Sequence, residues 1–359
     1  MLLIDNLAAP KENGEFGLVP QRQTFLKKEG HFMKKKLLAL LPLMLAPLAV
    51  SLTGCSNKTK IGILQYAEFA ALDAAKRGFE AGLKEGGLTN FAIDYRNADQ
   101  KDANMQLFAK DLVDTCALTL GIATPSAKAL KAASDEAQYN KPVLFTAVTD
   151  AKEAGLVADN ENKTGHVCGT IDANPVTEQI NLVKEFKSDA SKVGILYTQT
   201  ELNSKVQSDQ AEAAIVAAGM TSKVRTCTGP SDVKTTAEAL VSDGVDAIYL
   251  PTDNNIAKNM NAVKEAAAGH GVLIVCGEEG MLESGGHLTL SIDYYSLGLS
   301  TGKMAAQILK GEKAPTDFPV TPVPVSDCSY VFSNTNLTTA GLSMPEAMKN
   351  AHSWKDVNA

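Results

Sequence analysis

From Lys60 onward the chain alternates short apolar runs with amphipathic stretches, and it does so twice. Four to eight apolar residues in a row read as a buried strand, and apolar residues three or four apart read as one helix face. Residues 60–65 (KIGILQ), 91–95, 117–122 and 142–146 read as strands. Residues 72–85, 102–114 and 126–138 read as helices; in the first, Leu72, Ala75, Phe79 and Leu83 share a face. Residues 192–197 (KVGILY) then echo the opening strand and restart the series. A helix over 205–218, a strand over 221–226, a helix over 232–242, a strand over 245–250 and a helix over 256–268 follow. Thr124 and Thr252 stand at matching turns 128 residues apart, and Lys60 and Lys192 open the two series 132 apart. Alternation of this kind predicts parallel sheets with right-handed crossovers. The repeat predicts two pseudo-equivalent lobes, so the fold class is α/β with two doubly wound parallel-sheet lobes.

Upstream, Met33-Lys34-Lys35-Lys36 is a positive run, 37–50 is apolar apart from Pro42 and Pro47, and Leu52-Thr53-Gly54-Cys55 follows. Positive region, apolar region and small residues at a cut site describe a secretory signal peptide. The apolar run is too short and too proline-broken for a membrane-spanning helix, which needs about 20 apolar residues. Its end resembles the bacterial lipobox, so Cys55 is the expected lipidation site, tied to the first strand by a tether over 55–59. Residues 1–32 fit no targeting logic. Lys27-Lys28-Glu29-Gly30 can be encoded by a purine-rich ribosome-binding stretch just before Met33. Met33 is therefore the expected start, 1–32 a non-native extension and 33–54 the signal peptide.

Hydrophobic residues at 45% and charged residues at 21% suit an ordinary globular core. The formal net charge of −7 disfavours nucleic acid, which needs a clustered basic face. Apart from Cys55, the cysteines are Cys116, Cys168, Cys227, Cys276 and Cys328, widely spaced and without C-x-x-C or Cys/His pairing. Neither a zinc site nor any other cofactor is expected. Their odd number leaves at least one thiol unpaired, and most sit in apolar runs as small core residues.

In open parallel sheets, ligands bind outside the carboxyl ends of the strands. The turns at those ends are 65–73, 124–126, 146–150, 198–204, 251–254 and 276–280. They supply Gln65, Tyr66, Glu68, Leu72, Asp73, Thr124, Pro125, Ser126, Thr146, Ala147, Val148, Asp150, Glu201, Asn203, Ser204, Thr252, Asp253, Asn254 and Glu278 as candidate ligand-binding residues. A loop feeding a helix offers free N–H groups to a carboxylate, and Thr124 and Ser126 add hydroxyls there. Ser126 also suits a simple helix cap. The acidic residues offer acceptors elsewhere, and an anion seat beside acceptors suits a zwitterion. Asp253 or Glu201 would accept an ammonium through charge-assisted bonds. Tyr66, Phe69, Tyr197 and Tyr294 would wall an apolar or aromatic side chain.

These turns resemble the family of ABC-transporter substrate-binding lipoproteins that includes tryptophan- and tyrosine-binding members. The resemblance rests on Ala71-Leu72-Asp73-Ala74-Ala75, Ile122-Ala123-Thr124-Pro125-Ser126-Ala127 and Phe145-Thr146-Ala147-Val148-Thr149-Asp150. It continues in Glu201-Leu202-Asn203-Ser204, Pro251-Thr252-Asp253-Asn254 and Ile292-Asp293-Tyr294-Tyr295 with Gly298. It implies a type I periplasmic-binding-protein fold whose lobes are joined by a three-segment hinge, with crossings near Thr170, Ser291 and Pro319. Lobe 1 would hold 60–169 and 292–318, and lobe 2 would hold 170–291 and 319–359. It adds Asp293 and Tyr294 to the site and implies an aromatic amino acid as ligand. Partners would be an ABC permease with its ATPase and the membrane, reached through lipid on Cys55; the protein would be extracytoplasmic and monomeric. Tyr66-Ala67-Glu68-Phe69 and 325–334 depart from the family pattern.

No chemistry on the ligand is expected. The chain has no Walker A loop, G-x-G-x-x-G, H-E-x-x-H or G-x-S-x-G, and of five histidines only His287 stands near a strand-end turn. Two other readings stay open: a ligand-sensing lipoprotein without a transporter, and an enzyme on a doubly wound fold with Asp150 or Asp253 as base.

Overall fold

The computed structural model describes residues 58–358. The start-site, signal-peptide and lipidation expectations fall on 1–55, outside the described residues. No helix among the described residues is long and apolar enough to cross a membrane.

The first unit is built from β1 (Thr59–Gln65), α1 (Ala70–Glu85), β2 (Phe91–Asn97), α2 (Asp102–Thr115), β3 (Leu118–Ile122), α3 (Thr124–Glu136), β4 (Val143–Val148) and β5 (Val167–Ile171). Its sheet runs β2-β1-β3-β4-β5 and is parallel throughout. Ile61, Ile63 and Leu64 are fully buried in β1, so side chains on both sheet faces are covered, as a parallel sheet between helices requires.

The second unit begins with α4 (Val176–Phe186), β6 (Lys192–Thr198), α5 (Leu202–Ala217), β7 (Thr221–Cys227), α6 (Val233–Ser242) and β8 (Ala247–Leu250). It continues with α7 (Asn254–Lys258), α8 (Met260–Ala267), β9 (Leu273–Cys276), α9 (Gly280–Ser284) and β10 (Leu288–Ser291). After α10 (Tyr294–Leu309) the chain adds β11 (Ser329–Phe332), α11 (Asn334–Thr339), α12 (Glu346–Ala351) and β12 (Trp354–Asp356). The second sheet runs β12-β11-β10-β9-β8-β6-β7, with β11 antiparallel to β10. Apolar clusters cover each sheet on both faces, one pair per unit.

Three connections pass between the sheets. The first follows β5 and leads to α4, and the second leaves β10 for α10, which packs along α1. The third leads to β11. Before it crosses, Asn162 Nδ2 donates to the carbonyls of Pro315 and Phe318, and Val320 N donates to Asn160 O, strapping it to the first unit. The α1–α10 contact is backbone-close: a Cβ on Gly78 would lie 2.0 Å from Tyr295 O, and one on Gly298 would lie 1.9 Å from Ala75 O.

The structure differs from the sequence expectation in a broken helix and in elements the sequence left unassigned, among them every element from β9 (Leu273–Cys276) onward. The helix expected over 256–268 is two helices, α7 and α8, broken at Asn259. That residue's Nδ2 donates to Asn255 O and so competes with the helical ladder. The strand β5 and helix α4 stand where the sequence reading assigned nothing between 146 and 192.

Candidate functional site

The carboxyl ends of both sheets face one narrow cavity. It is lined from the first unit by Phe69, Ala71, Leu72, Thr124, Ala147, Thr149 and Asp172, from the second by residues that follow β6, β8 and β9, and by Tyr294 at the start of α10, which packs on the first unit. Thr124 and Asp253, which the repeat placed at matching turns, line it together. About 330 Å³ lies free of protein atoms there, but only about 20 Å³ admits the centre of a water molecule, so the space is a slot.

Two helices point uncapped N-termini at the slot. Neither α1, preceded by Phe69, nor α3, preceded by Ala123, has a side-chain cap, and Pro125 in the first turn of α3 has no N–H to satisfy. Ala123 holds φ 78° with ψ 155°, a region other than glycine rarely adopts, and Ala147 holds φ 54°. Backbone strain thus collects at two strand ends of the first unit that border the slot. Ser126 Oγ is buried in the first turn of α3 without a partner.

The charge of the lining is one-sided. Asp172, Asp253 and Glu278 line the slot and no Lys, Arg or His does. Asp172 Oδ2 accepts from Tyr294 OH at 2.6 Å and Oδ1 from Thr149 Oγ1 at 3.1 Å. Burial pushes its carboxyl up to about 6 against those two bonds. Glu278 Oε2 accepts from Gly280 N at 2.5 Å, while Oε1 is buried with no partner. Burial, and then Glu279 beside it, push Glu278 up to about 8. Asn203 Nδ2 donates to Thr252 O at 2.7 Å, which fixes the amide orientation and leaves Oδ1 buried and unpartnered.

Asp253 and Glu201, the acceptors named from sequence for an ammonium, are bonded within the second unit. Asp253 Oδ2 accepts from Thr198 N at 2.6 Å, and Oδ1 accepts from Thr198 Oγ1 at 2.8 Å and Ile256 N at 2.9 Å, capping α7. Glu201 Oε2 accepts from Asn254 N and Nδ2, and Oε1 from Asn255 N. Burial first, and mutual repulsion for Glu201, raise both carboxyls.

Of the other sequence candidates, Leu72, Ala147, Thr252, Asn254 and Tyr294 line the slot. Tyr66 and Pro125 line a separate polar groove with Glu201. Gln65 Nε2 is bonded to Asp73 Oδ1, which faces another surface groove, and exposed Glu68 accepts from Tyr95 OH. Thr146 Oγ1 meets Thr170 Oγ1 at 3.0 Å and Val148 is core. Asp150 closes a turn through Lys152 N and Glu153 N, Asp293 caps α10, and Ser204 is buried in the first turn of α5. Sequence reasoning did not single out Asp172, Ala257 or Met281. For Asp172 the signal was present: it directly follows β5, a strand end like the others.

The slot is closed over by contacts between the units. Lys258 Nζ lies 2.7 Å from Asp99 Oδ1, Gln100 Nε2 donates to Asn254 O at 3.0 Å, and the hydroxyls of Thr149 and Thr252 meet at 3.4 Å.

A closed slot where two sheets end is the geometry of a solute trap, and comparison with known proteins decides the matter. Residues 60–353 match the model of the family described as ABC transporter substrate binding protein. The chain belongs to that family. A tyrosine-binding protein of Clostridioides difficile (strain R20291) is 35% identical over 309 residues, covering 80% of this chain and 87% of that protein. The crystal structure of an ABC domain from Streptococcus pneumonia in complex with L-Trp is 31% identical with a TM-score of 0.77, covering 83% of this chain and 99% of that one. The ligand-free, open structure of a Clostridium difficile substrate-binding protein with adhesive properties is 32% identical over the same shares, with a TM-score of 0.63. A Bacillus halodurans solute-binding protein with bound myo-inositol, at 14% identity and a TM-score of 0.57, shares the fold. This chain is thus a substrate-binding protein of the ABC-transporter family, with two parallel-sheet lobes of the type I periplasmic-binding kind.

Proposed function

We propose that this substrate-binding protein captures an aromatic amino acid, unchanged, in the interlobe slot and delivers it to an ABC permease. The observation that carries the proposal is the set of unmet polar groups around a space lined by acids and no bases. Buried polar groups are normally paired, so unpaired ones at a cavity call for a ligand's atoms. The uncapped start of α3, with Thr124 and Ser126, suits the carboxylate. Asp172 and Asn203 Oδ1 suit the ammonium, because a buried carboxylate without a cation is stabilised by gaining one. Phe69 and Leu72 from one lobe, and Ala257 and Met281 from the other, suit a flat ring. The tyrosine-binding relative and the L-Trp complex support the aromatic class. The closer match to the L-Trp complex than to the open structure supports a closed state here.

Closure needs no catalytic group: solute contacts made by both lobes favour the shut form. The hinge would be the three inter-sheet connections, with lobe 1 over 60–169 and 292–318 and lobe 2 over 170–291 and 319–359. Lipidation at Cys55 would hold the monomer outside the cell membrane, near its permease.

Thermal unfolding with and without L-tryptophan and L-tyrosine tests the reading. At a hundred times Kd a ligand stabilises the fold by about 2.7 kcal/mol. A raised Tm with the amino acid recovered intact is expected. No shift with any aromatic amino acid at millimolar concentration refutes the proposal.

A further inference from the structure

Among the slot-lining side chains, two buried acceptors have no partner: Asn203 Oδ1 and Glu278 Oε1. They follow different strands, β6 and β9. Asn203 stands at the start of α5 and shares a groove with Thr124 and Pro125 at the start of α3. Glu278 stands at the start of α9, against α1: a Cβ on the neighbouring Gly280 would lie 3.0 Å from Ala70 Cβ. The same slot is lined by Phe69, Ala71, Leu72 and Met281, and by Tyr294, whose hydroxyl is taken up by Asp172. An unmet buried acceptor, fixed by a bond to its other oxygen in a slot lined largely by apolar side chains, is an arrangement that reads a single donor on an otherwise apolar group.

We propose that Glu278 reads the ring of the bound solute, accepting an indole N–H or a phenol O–H on Oε1 and so selecting tryptophan and tyrosine over phenylalanine. The inference rests on the aromatic amino acid reading above and deepens it. Gly280 N anchors Oε2, which leaves Oε1 of this slot-lining residue without a partner, and Oε1 keeps a lone pair for a donor in either protonation state. Burial and the neighbouring Glu279 and Glu283 hold the group largely protonated near neutrality, which suits a neutral donor better than an ammonium. Phenylalanine in the same place would leave the buried acceptor unmet, and sites built around such a bond reject the analogue that lacks it.

Isothermal titration of wild type, Glu278→Met and Glu278→Gln with L-tryptophan, L-tyrosine and L-phenylalanine tests this. Wild type is expected to bind phenylalanine at least about a hundredfold more weakly than the other two. Glu278→Met, close in volume and apolar, should bring tryptophan and tyrosine down toward phenylalanine while leaving phenylalanine unchanged or tighter. Glu278→Gln keeps only one acceptor, which Gly280 N claims, so its Nε2 donor takes the place of Oε1 and the preference should fall as in Glu278→Met. Phenylalanine binding within a few-fold of tyrosine in wild type overturns the inference. So does an equal loss for all three ligands in Glu278→Met, which would make Glu278 the ammonium partner. Binding of all three without discrimination leaves the parent reading standing, whereas no binding of any of them removes both.

Discussion

Asp253 shows what one residue's surroundings decide that its sequence position does not. The turn Pro251-Thr252-Asp253-Asn254 is legible as a strand end, and Asp253 does line the slot. Its bonds to Thr198, 55 residues earlier, depend on β6 and β8 lying side by side, which no local pattern encodes. Asp253→Ala is therefore expected to lower stability by about 1–3 kcal/mol, since it frees a buried backbone N–H and uncaps α7. Denaturant unfolding that leaves the midpoint unchanged would contradict this. Glu278 carries a second expectation. Its folded carboxyl, pushed up to about 8 from an unfolded value near 4.5, binds its proton more tightly folded than unfolded. Its contribution is thus fully present below about 4.5 and is lost as pH rises towards 8. Ligand-free wild type should lose Tm over that window, and Glu278→Gln should flatten the loss. A Glu278→Gln profile as steep as wild type's would assign the slope to other groups.

Elements were the most legible scale. Strands and helices over 60–146 and 192–268, and the turns between them, follow from apolar periodicity because each is local; the elements from β9 onward were not assigned. The break at Asn259 was not legible, because it depends on one amide turning back on its own helix. Nor were β5 and α4: the link from β4 to β5 over 149–166 contains no helix to mark a crossover. Asp172 escaped notice with them. The α1–α10 pairing joins residues more than 200 positions apart, and only the clearance at Gly78 and Gly298 explains those glycines. Gly298→Ala would put a methyl group into the Ala75 carbonyl and is expected to cost about 1–3 kcal/mol or more. Calorimetry should find a lower Tm with the α/β circular dichroism retained; an unchanged Tm would mean that the helices can part without loss.

At the scale of the molecule, the repeat of strand and turn was enough to predict two facing lobes, while the contacts that bridge them were not legible, because they join residues as far apart in sequence as Asp99 and Lys258. Lys258 and Lys101 hold the Asp99 carboxyl down at about 2, and the Lys258 pair bridges the lobes at the surface. Exposed pairs contribute little and are screened by salt. Lys258→Met is therefore expected to weaken solute binding by only about two- to fivefold, with most of the difference gone in 1 M salt. A loss of a hundredfold, or one that salt does not touch, would show that Lys258 acts on something other than Asp99.

One bond links the lining of the slot to the crossings between the sheets. Tyr294 OH donates to Asp172 Oδ2, and the two residues belong to different inter-sheet connections while both line the slot. On the proposed reading, altering Asp172 or Tyr294 to fit a new cargo would also change how readily the lobes shut. A biosensor builder would do better to vary Met281 or Ala257, which line the slot from α9 and α7, away from those crossings.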